Sequence, residues 1–248
     1  MGTIAALLTG KAVALGEGVV SGIAKRAVDV PLWLAADGLH GDEQGDRQYH
    51  GGPEKALHHY ALEHYPHWQA AFGAVPPLRG PGAFGENIAT RGMTERSVHV
   101  GDVYRIGTAL VQVSQGRQPC WKLNLRFGHP QAARAVQDSG LTGWYYRVLR
   151  PGWIAAGDLL ELQERPLPDW PLARLIAALF LLPPLDAAGV PPGEPAEPGM
   201  PDAARRAEWQ AAAALAPLAE GWRANFRQRL ERGAVEDWGR RLNTPNTF

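Results

Sequence analysis

Residues 45–60 read GDRQYHGGPEKALHHY and gather Asp46, Arg47, His50, the Gly51-Gly52 pair, Lys55, His58 and His59. A glycine pair permits positive φ and lets the backbone approach a ligand closely. Pro53 followed by Glu54 is a helix-start signal. Leu57, Tyr60, Ala61, His64, Tyr65 and Trp68 recur at three- and four-residue spacing, which predicts an amphipathic helix over 53–73. Pro66 kinks or ends it, and Gly73 is a candidate C-cap. A helix opened by HGG would aim free N–H groups and a positive dipole end at a ligand. With His50 and Lys55 alongside, that arrangement makes an anion site. A tight turn with a charged surface face explains the same residues without a ligand.

The second chemical stretch is VSQGRQPCWKLNLRFG, residues 113–128, which holds the chain's single cysteine. A strand runs out near Ser114, Gly116 turns the chain, and Arg117 and Lys122 flank Cys120. Nearby positive charge favours the thiolate, which is both nucleophile and metal ligand. The competing explanation is a small buried hydrophobe. A Cys-His hydrolase would draw its partners from His50, His58, His59 and Asp46. HHYALEH matches neither HExxH nor HxxEH, and a zinc site built on a helix face shared by His59 and Glu63 needs a third ligand. A calcium loop starting at Asp42 would carry Arg47 where glycine is required and Pro53 where glutamate is required, so it is rejected. No GxSxG, GxxxxGK[ST] or GxGxxG is present.

Several elements must position these groups. Residues 1–50 read as short strands broken by glycine, and HVGDVYRIG, ALVQVSQ, WYYRVLRPG and IAAGDLLELQ continue the style. Many short strands with glycine turns predict a barrel. Gly101-Asp102-Val103 and Gly157-Asp158-Leu159 suggest two hairpin corners of one closed sheet, and 129–139 suggests a helix. From ERPLPDW (164–170) the style becomes helical. Residues 183–201 hold seven of the 21 prolines, too many for a helix or central strand. Beyond them, Leu218, Trp222, Phe226 and Leu230 recur every four residues, with Pro217 at a first helical position and Gly233 as a C-cap. The expectation is a barrel over 1–165 and a small helical unit over 166–248, a mainly β, α+β chain.

Bulk properties narrow the function classes. Lys+Arg and Asp+Glu are both 25 in 248 residues, which argues against a broad nucleic-acid or anionic-membrane surface. One cysteine allows no internal disulfide and suits a reducing compartment. The N-terminus lacks a basic n-region, and the best apolar run, LIAALFLL, falls short of the ~20 residues that span a bilayer. The expected location is the cytoplasm.

Together, GLHGDEQGDRQYHGGPEKALHHYALEHY, GAFGENI and GRQPCWKLN resemble the MOSC domain, named for the C-terminal part of molybdenum cofactor sulfurases. TGWYYRVLRPG, AGDLLEL and ERPLPDW are similar to the YiiM-like branch, whose MOSC domain is followed by a three-helix unit. The resemblance implies a closed β-barrel that holds the molybdopterin form of the molybdenum cofactor. It implies that Cys120 is the molybdenum ligand and the catalytic residue. It also implies a phosphate site from His50, Gly51, Gly52, Lys55 and Arg117, with Glu86, Asn87 and Asn124 on the pterin edge. The activity implied is reduction of N-hydroxylated compounds such as 6-hydroxylaminopurine, with a separate flavin-containing reductase as electron donor. The proton donor stays open among His50, Asp46 and Asp42. The alternatives are a persulfide carrier on Cys120 or a cofactor-binding protein without turnover. No pyridoxal-phosphate domain is visible. The tail could support the barrel, form a homodimer or dock the reductase.

Overall fold

A computed structural model describes residues 2–46, 51–183 and 203–245. Its strands are β1 Gly2–Thr9, β2 Val13–Gly16, β3 Val19–Ser21, β4 Arg26–Ala27, β5 Leu32–Ala35, β6 Gly38–Leu39 and β7 Leu57–Ala61. They continue as β8 Ile88–Arg91, β9 Val103–Ile106, β10 Ala109–Gly116, β11 Trp144–Arg150, β12 Gly152–Ile154 and β13 Leu159–Glu164. The helices are α1 Tyr65–Phe72, α2 Lys122–Phe127, α3 Ala132–Ser139, α4 Leu172–Phe180, α5 Ala203–Ala213, α6 Glu220–Arg232 and α7 Gly239–Leu242.

Seven strands close into a barrel in the order β1-β8-β7-β11-β10-β9-β13, and β13 returns to β1 through Gly2↔Leu160. The β7–β8 pair is parallel and the other barrel pairs are antiparallel. Closure removes sheet edges that would otherwise carry unpaired backbone groups. Along β10, buried Ala109, Val111 and Val113 alternate with half-buried Leu110 and Gln112, so one face fills the barrel.

The sequence spacing that predicts a helix over 53–73 misleads at its start. Pro53–Lys55 forms a single 3-10 turn, Leu57–Ala61 is a strand, and only Tyr65–Phe72 is α-helical. All five residues of β7 are buried between β8 and β11. A strand buried on both faces shows no alternation, so its apolar residues can be mistaken for a helical stripe. Pro66 lies in the first turn of α1 rather than ending a helix. The expected anion site at an α-helix N-terminus after HGG is therefore not built, and the zinc candidates His59 and Glu63 share no helix face.

The two Gly-Asp turns do match each other. His99 N donates to Asp102 Oδ2 (3.0 Å) and Ala155 N to Asp158 Oδ2 (2.8 Å). They feed β9 and β13, which pair with one another, but neither turn joins two paired strands, so they are not hairpin corners.

The expected helix near 129–139 is α3, while α2 directly after Cys120 is an element the sequence reading left unassigned. Residues 184–202, most of the proline-rich stretch, lie outside the described residues. The tail packs onto the barrel: Trp170, Leu175, Trp209, Trp222 and Phe226 share one apolar cluster with Val111, Val113 and Trp144. Ala219 N donates to Ser114 O at 2.8 Å, and Gly233 caps α6 in the left-handed conformation. α6 begins at Glu220, just after Pro217.

Candidate functional site

A pocket opens beside β7, β11 and the end of β10. Its walls come from Ser21–Ile23 and Lys25, the Asp42–Gly45 loop, Lys55, His58, Phe84, Gly85, Asn87, Arg117, Cys120, Lys122 and Tyr145. Each wall has a local cause. Gly22 lets two loops touch, because a Cβ there would lie 1.9 Å from the Glu43 carbonyl oxygen. Asp42 ties the same loops together: Oδ1 accepts from Gly10 N (2.8 Å), and Oδ2 accepts from Asn87 Nδ2 (2.9 Å) and pairs with the Lys25 ammonium. Asn87 Oδ1 in turn accepts from His58 N at 3.1 Å.

Arg117 follows the last residue of β10. Its backbone N–H donates to Gly143 O at 2.9 Å. Gly143 has φ 75°, and a Cβ there would lie 2.5 Å from the His59 carbonyl oxygen, so no larger residue fits this strap. Cys120 sits on the turn before α2, where Leu123 N donates to its carbonyl at 3.0 Å.

Four cations, Lys25, Lys55, Arg117 and Lys122, line the pocket with two carboxylates, Asp42 and Glu43. Arg117 is only 6% exposed and His58 only 3%, yet Arg117 Nη1 and His58 Nε2 have no hydrogen-bond partner among the described residues. A buried polar atom without a partner is costly, and Arg117 lines this pocket, where an anionic ligand would satisfy its Nη1.

The electrostatics set protonation. Burial, reinforced by the Arg117 cation, holds the His58 pKa well below the ordinary imidazole range, so the ring is neutral. It stacks on Tyr145 with centroids 4.8 Å apart. Burial raises the Tyr145 pKa against the opposing pull of Arg117, so the phenol keeps its proton. Burial lowers the Lys55 pKa while the neighbouring Cys120 opposes the shift. For Lys25, burial outweighs Asp42 and lowers the pKa.

Of the residues singled out in the sequence, the structure brings Lys55, Asn87, Arg117 and Cys120 to one pocket. His50 lies outside the described residues. Gly51 and Gly52 adjoin the Pro53 turn, where Gly52 O accepts from Lys55 N (2.9 Å), but they do not line the pocket. Glu86 is buried beneath it and accepts from Gly82 N (2.6 Å), Phe84 N (3.0 Å) and Tyr65 Oη (2.6 Å), so it shapes the GAFGEN loop. Asn124 is turned away from Cys120: Oδ1 accepts from Ala133 N (2.8 Å) and Nδ2 donates to Leu242 O (2.9 Å). His59 is also turned away, bonded to Tyr146 Oη (2.9 Å) and Thr90 Oγ1 (2.7 Å). Among the described residues no group of three His, Cys, Asp or Glu side chains could hold a metal.

Sequence reasoning missed Lys25 and Tyr145. Nothing local marks Lys25. Tyr145 faces His58 through the β11–β7 register, Tyr145↔His58, a signal that exists only once the strands are paired.

A closed seven-stranded barrel with a cysteine and four cations at one pocket defines the class of fold, and known proteins share it. Residues 46–161 match the MOSC domain. Protein YiiM of Escherichia coli (strain K12) is 38% identical over 234 residues, covering 94% of this chain and 95% of that protein. A protein called "Reductase" from Gibberella moniliformis is 43% identical over 158 residues, which are 63% of this chain but 28% of that protein. The crystal structure of YiiM from Escherichia coli superposes with a TM-score of 0.76 at 32% identity, covering 98% of this chain and all of that one (100%). YiiM from Geobacillus stearothermophilus superposes at 0.71 with 31% identity, over 93% of this chain and 100% of that one. The chain belongs to the YiiM-like MOSC-domain family, which is associated with binding the molybdenum cofactor. No helix among the described residues is long and apolar enough to cross a membrane.

Proposed function

We propose that this protein binds the molybdopterin form of the molybdenum cofactor through Cys120 and reduces N-hydroxylated compounds, such as 6-hydroxylaminopurine, to amines. The observation that carries this is the convergence of Lys25, Lys55, Arg117 and Lys122 on the pocket that holds the chain's only cysteine. The residues fit the group. A thiolate is a soft ligand suited to a sulfur-bound metal. Arg117 offers a planar fork for phosphate, and Lys55 adds a second cation.

The overall reaction is R–NH–OH + 2 H⁺ + 2 e⁻ → R–NH₂ + H₂O. The cofactor, when bound, supplies the electron pair that breaks the N–O bond. The protein's own groups do the rest. Arg117 and Lys55 fix the anionic ligand. His58 offers a neutral imidazole, and Tyr145 holds a proton at its hydroxyl beside it. A separate flavin-containing reductase delivers the electrons. The fungal relative named as a reductase supports redox work for this module.

The test is anaerobic turnover of 6-hydroxylaminopurine by cofactor-loaded protein with a reduced viologen dye as electron source. Wild type should form the amine with one N–OH reduced per two electrons consumed, and Cys120→Ala should be inactive. Equal turnover by the variant overturns the assignment.

A further inference from the structure

The tail reaches the cysteine. α7 lies at the far end of the described chain, yet it grips the loop on both sides of Cys120. Before the cysteine, Arg241 Nη1 donates to the Pro119 carbonyl. After it, Trp121 N donates to the Arg241 carbonyl at 2.7 Å. Arg241 Nη2 also donates to Gln137 Oε1 of α3, and its guanidinium stands 5.5 Å from the Phe180 ring centre. A second anchor is adjacent, where Asn124 Nδ2 donates to Leu242 O at 2.9 Å and to Thr244 Oγ1 at 3.3 Å. Leu242 is buried in the apolar cluster that includes Leu123 and Phe127 of α2. Burial lowers the Arg241 pKa to about 10, and Cys120 is the first of the groups that oppose the shift, so guanidinium and sulfur feel one another.

We propose that Arg241 is a positioning residue for Cys120, one that clamps the 119–121 loop and supplies a positive field at the sulfur favouring an anionic ligand there. The inference rests on the assignment of the Cys120 pocket as the reactive site. It makes the tail part of that site, and it explains why Asn124 faces the tail instead of the pocket. The positive charge around Cys120 then has two sources, the pocket wall (Arg117, Lys55) and, behind the 119–121 loop, the C-terminal segment (Arg241).

The experiment uses the full-length apoprotein, so it reads the clamp independently of molybdenum, and the failure of either proposal can be told from the failure of the other. Because Cys120 is the only thiol, alkylation rates report it alone. The quantity measured is the ratio of the rate with iodoacetate, an anion, to the rate with neutral iodoacetamide at low ionic strength. Changes in thiol accessibility or ionisation affect both rates alike and cancel, so the ratio reads the local field. Arg241→Ala should lower it by on the order of three- to ten-fold, as expected for removing one charge from beside the Cys120 loop at intermediate dielectric. Arg241→Lys should keep it within about two-fold of wild type for the same reason. Circular dichroism establishes that each variant is folded. Should Arg241→Ala fail to fold, Arg241→Gln, neutral but still able to donate to Pro119 O, must show the same fall. An unchanged ratio in a folded neutral variant, even with both rates altered, means a merely structural contact and overturns the proposal.

Discussion

Glu95→Gln tests how the barrel holds its site. Glu95 and His64 form a buried pair, with Glu95 Oε2 and His64 Nε2 2.6 Å apart and side chains 3% and 8% exposed. Glu95 Oε1 accepts from Gly143 N at 2.7 Å, and Gly143 O accepts from Arg117 N at 2.9 Å, so the pair supports the strap that presents Arg117. Burial pushes the His64 imidazole down, but the charge and hydrogen bond of Glu95 outweigh it and the pKa rises above 6.5. Burial pushes Glu95 up, but the charge and hydrogen bond of His64 outweigh it and the pKa falls below 4.5. The signs give a window. The Glu95 contribution is fully present above pH 4.5 and is lost as pH falls through its lowered value, whereas the His64 contribution is fully present below pH 6.5 and is lost as pH rises through its raised value. Between those limits both partners are charged. There, removing one should cost about 3 kcal/mol, since a buried partner is left uncompensated. For a chain of this size that is roughly 6–12 °C in melting temperature. Melting followed by circular dichroism from about pH 5.5 to about pH 8.5 should show a gap between wild type and variant that is widest at the acid end and narrows above it. A gap that stays constant across that range, or never exceeds about 1 kcal/mol, refutes the charged pair.

Arg117→Met should leave the apoprotein within about 1 kcal/mol of wild type by urea denaturation, or raise its stability, because it removes a buried cation with an orphaned donor. The same variant should lose cofactor on desalting, measured as molybdenum per chain. Gly143→Ala should cost more than about 2 kcal/mol in the same urea assay, since a Cβ at positive φ meets the His59 carbonyl. Trp222→Ala should cost about 3–5 kcal/mol, because the ring is 1% exposed and fills the space above Gly116 on the barrel, and scanning calorimetry would detect it.

The strand content and the helical tail were legible because alternation and four-residue spacing survive wherever one face of an element meets solvent or a single neighbour. β10 and α6 are cases. β7 was not legible, because burial on both sides erases the alternation that distinguishes a strand. At the site, Cys120 and Arg117 stood out because an arginine and a lysine around the only cysteine are chemically unusual. Lys25 and Arg241 could not stand out. Lys25 reaches the pocket through a loop pinned by Asp42, and Arg241 grips the loop around Cys120 from a helix 121 positions away; neither placement leaves a local mark. Asn87, Glu86 and Asn124 show the converse, although Asn87 does line the pocket. Their polar side chains suit a ligand, but the structure commits their hydrogen bonds to the loops and tail that shape the pocket.

The central claim is tested most directly by molybdenum analysis of protein purified from a host rich in the pterin cofactor, with Cys120→Ala prepared in parallel. The account predicts stoichiometric molybdenum in wild type and its loss in a variant that melts like wild type. Absence of molybdenum from wild type, with Cys120 carrying a persulfide, would contradict it and make the protein a sulfur carrier.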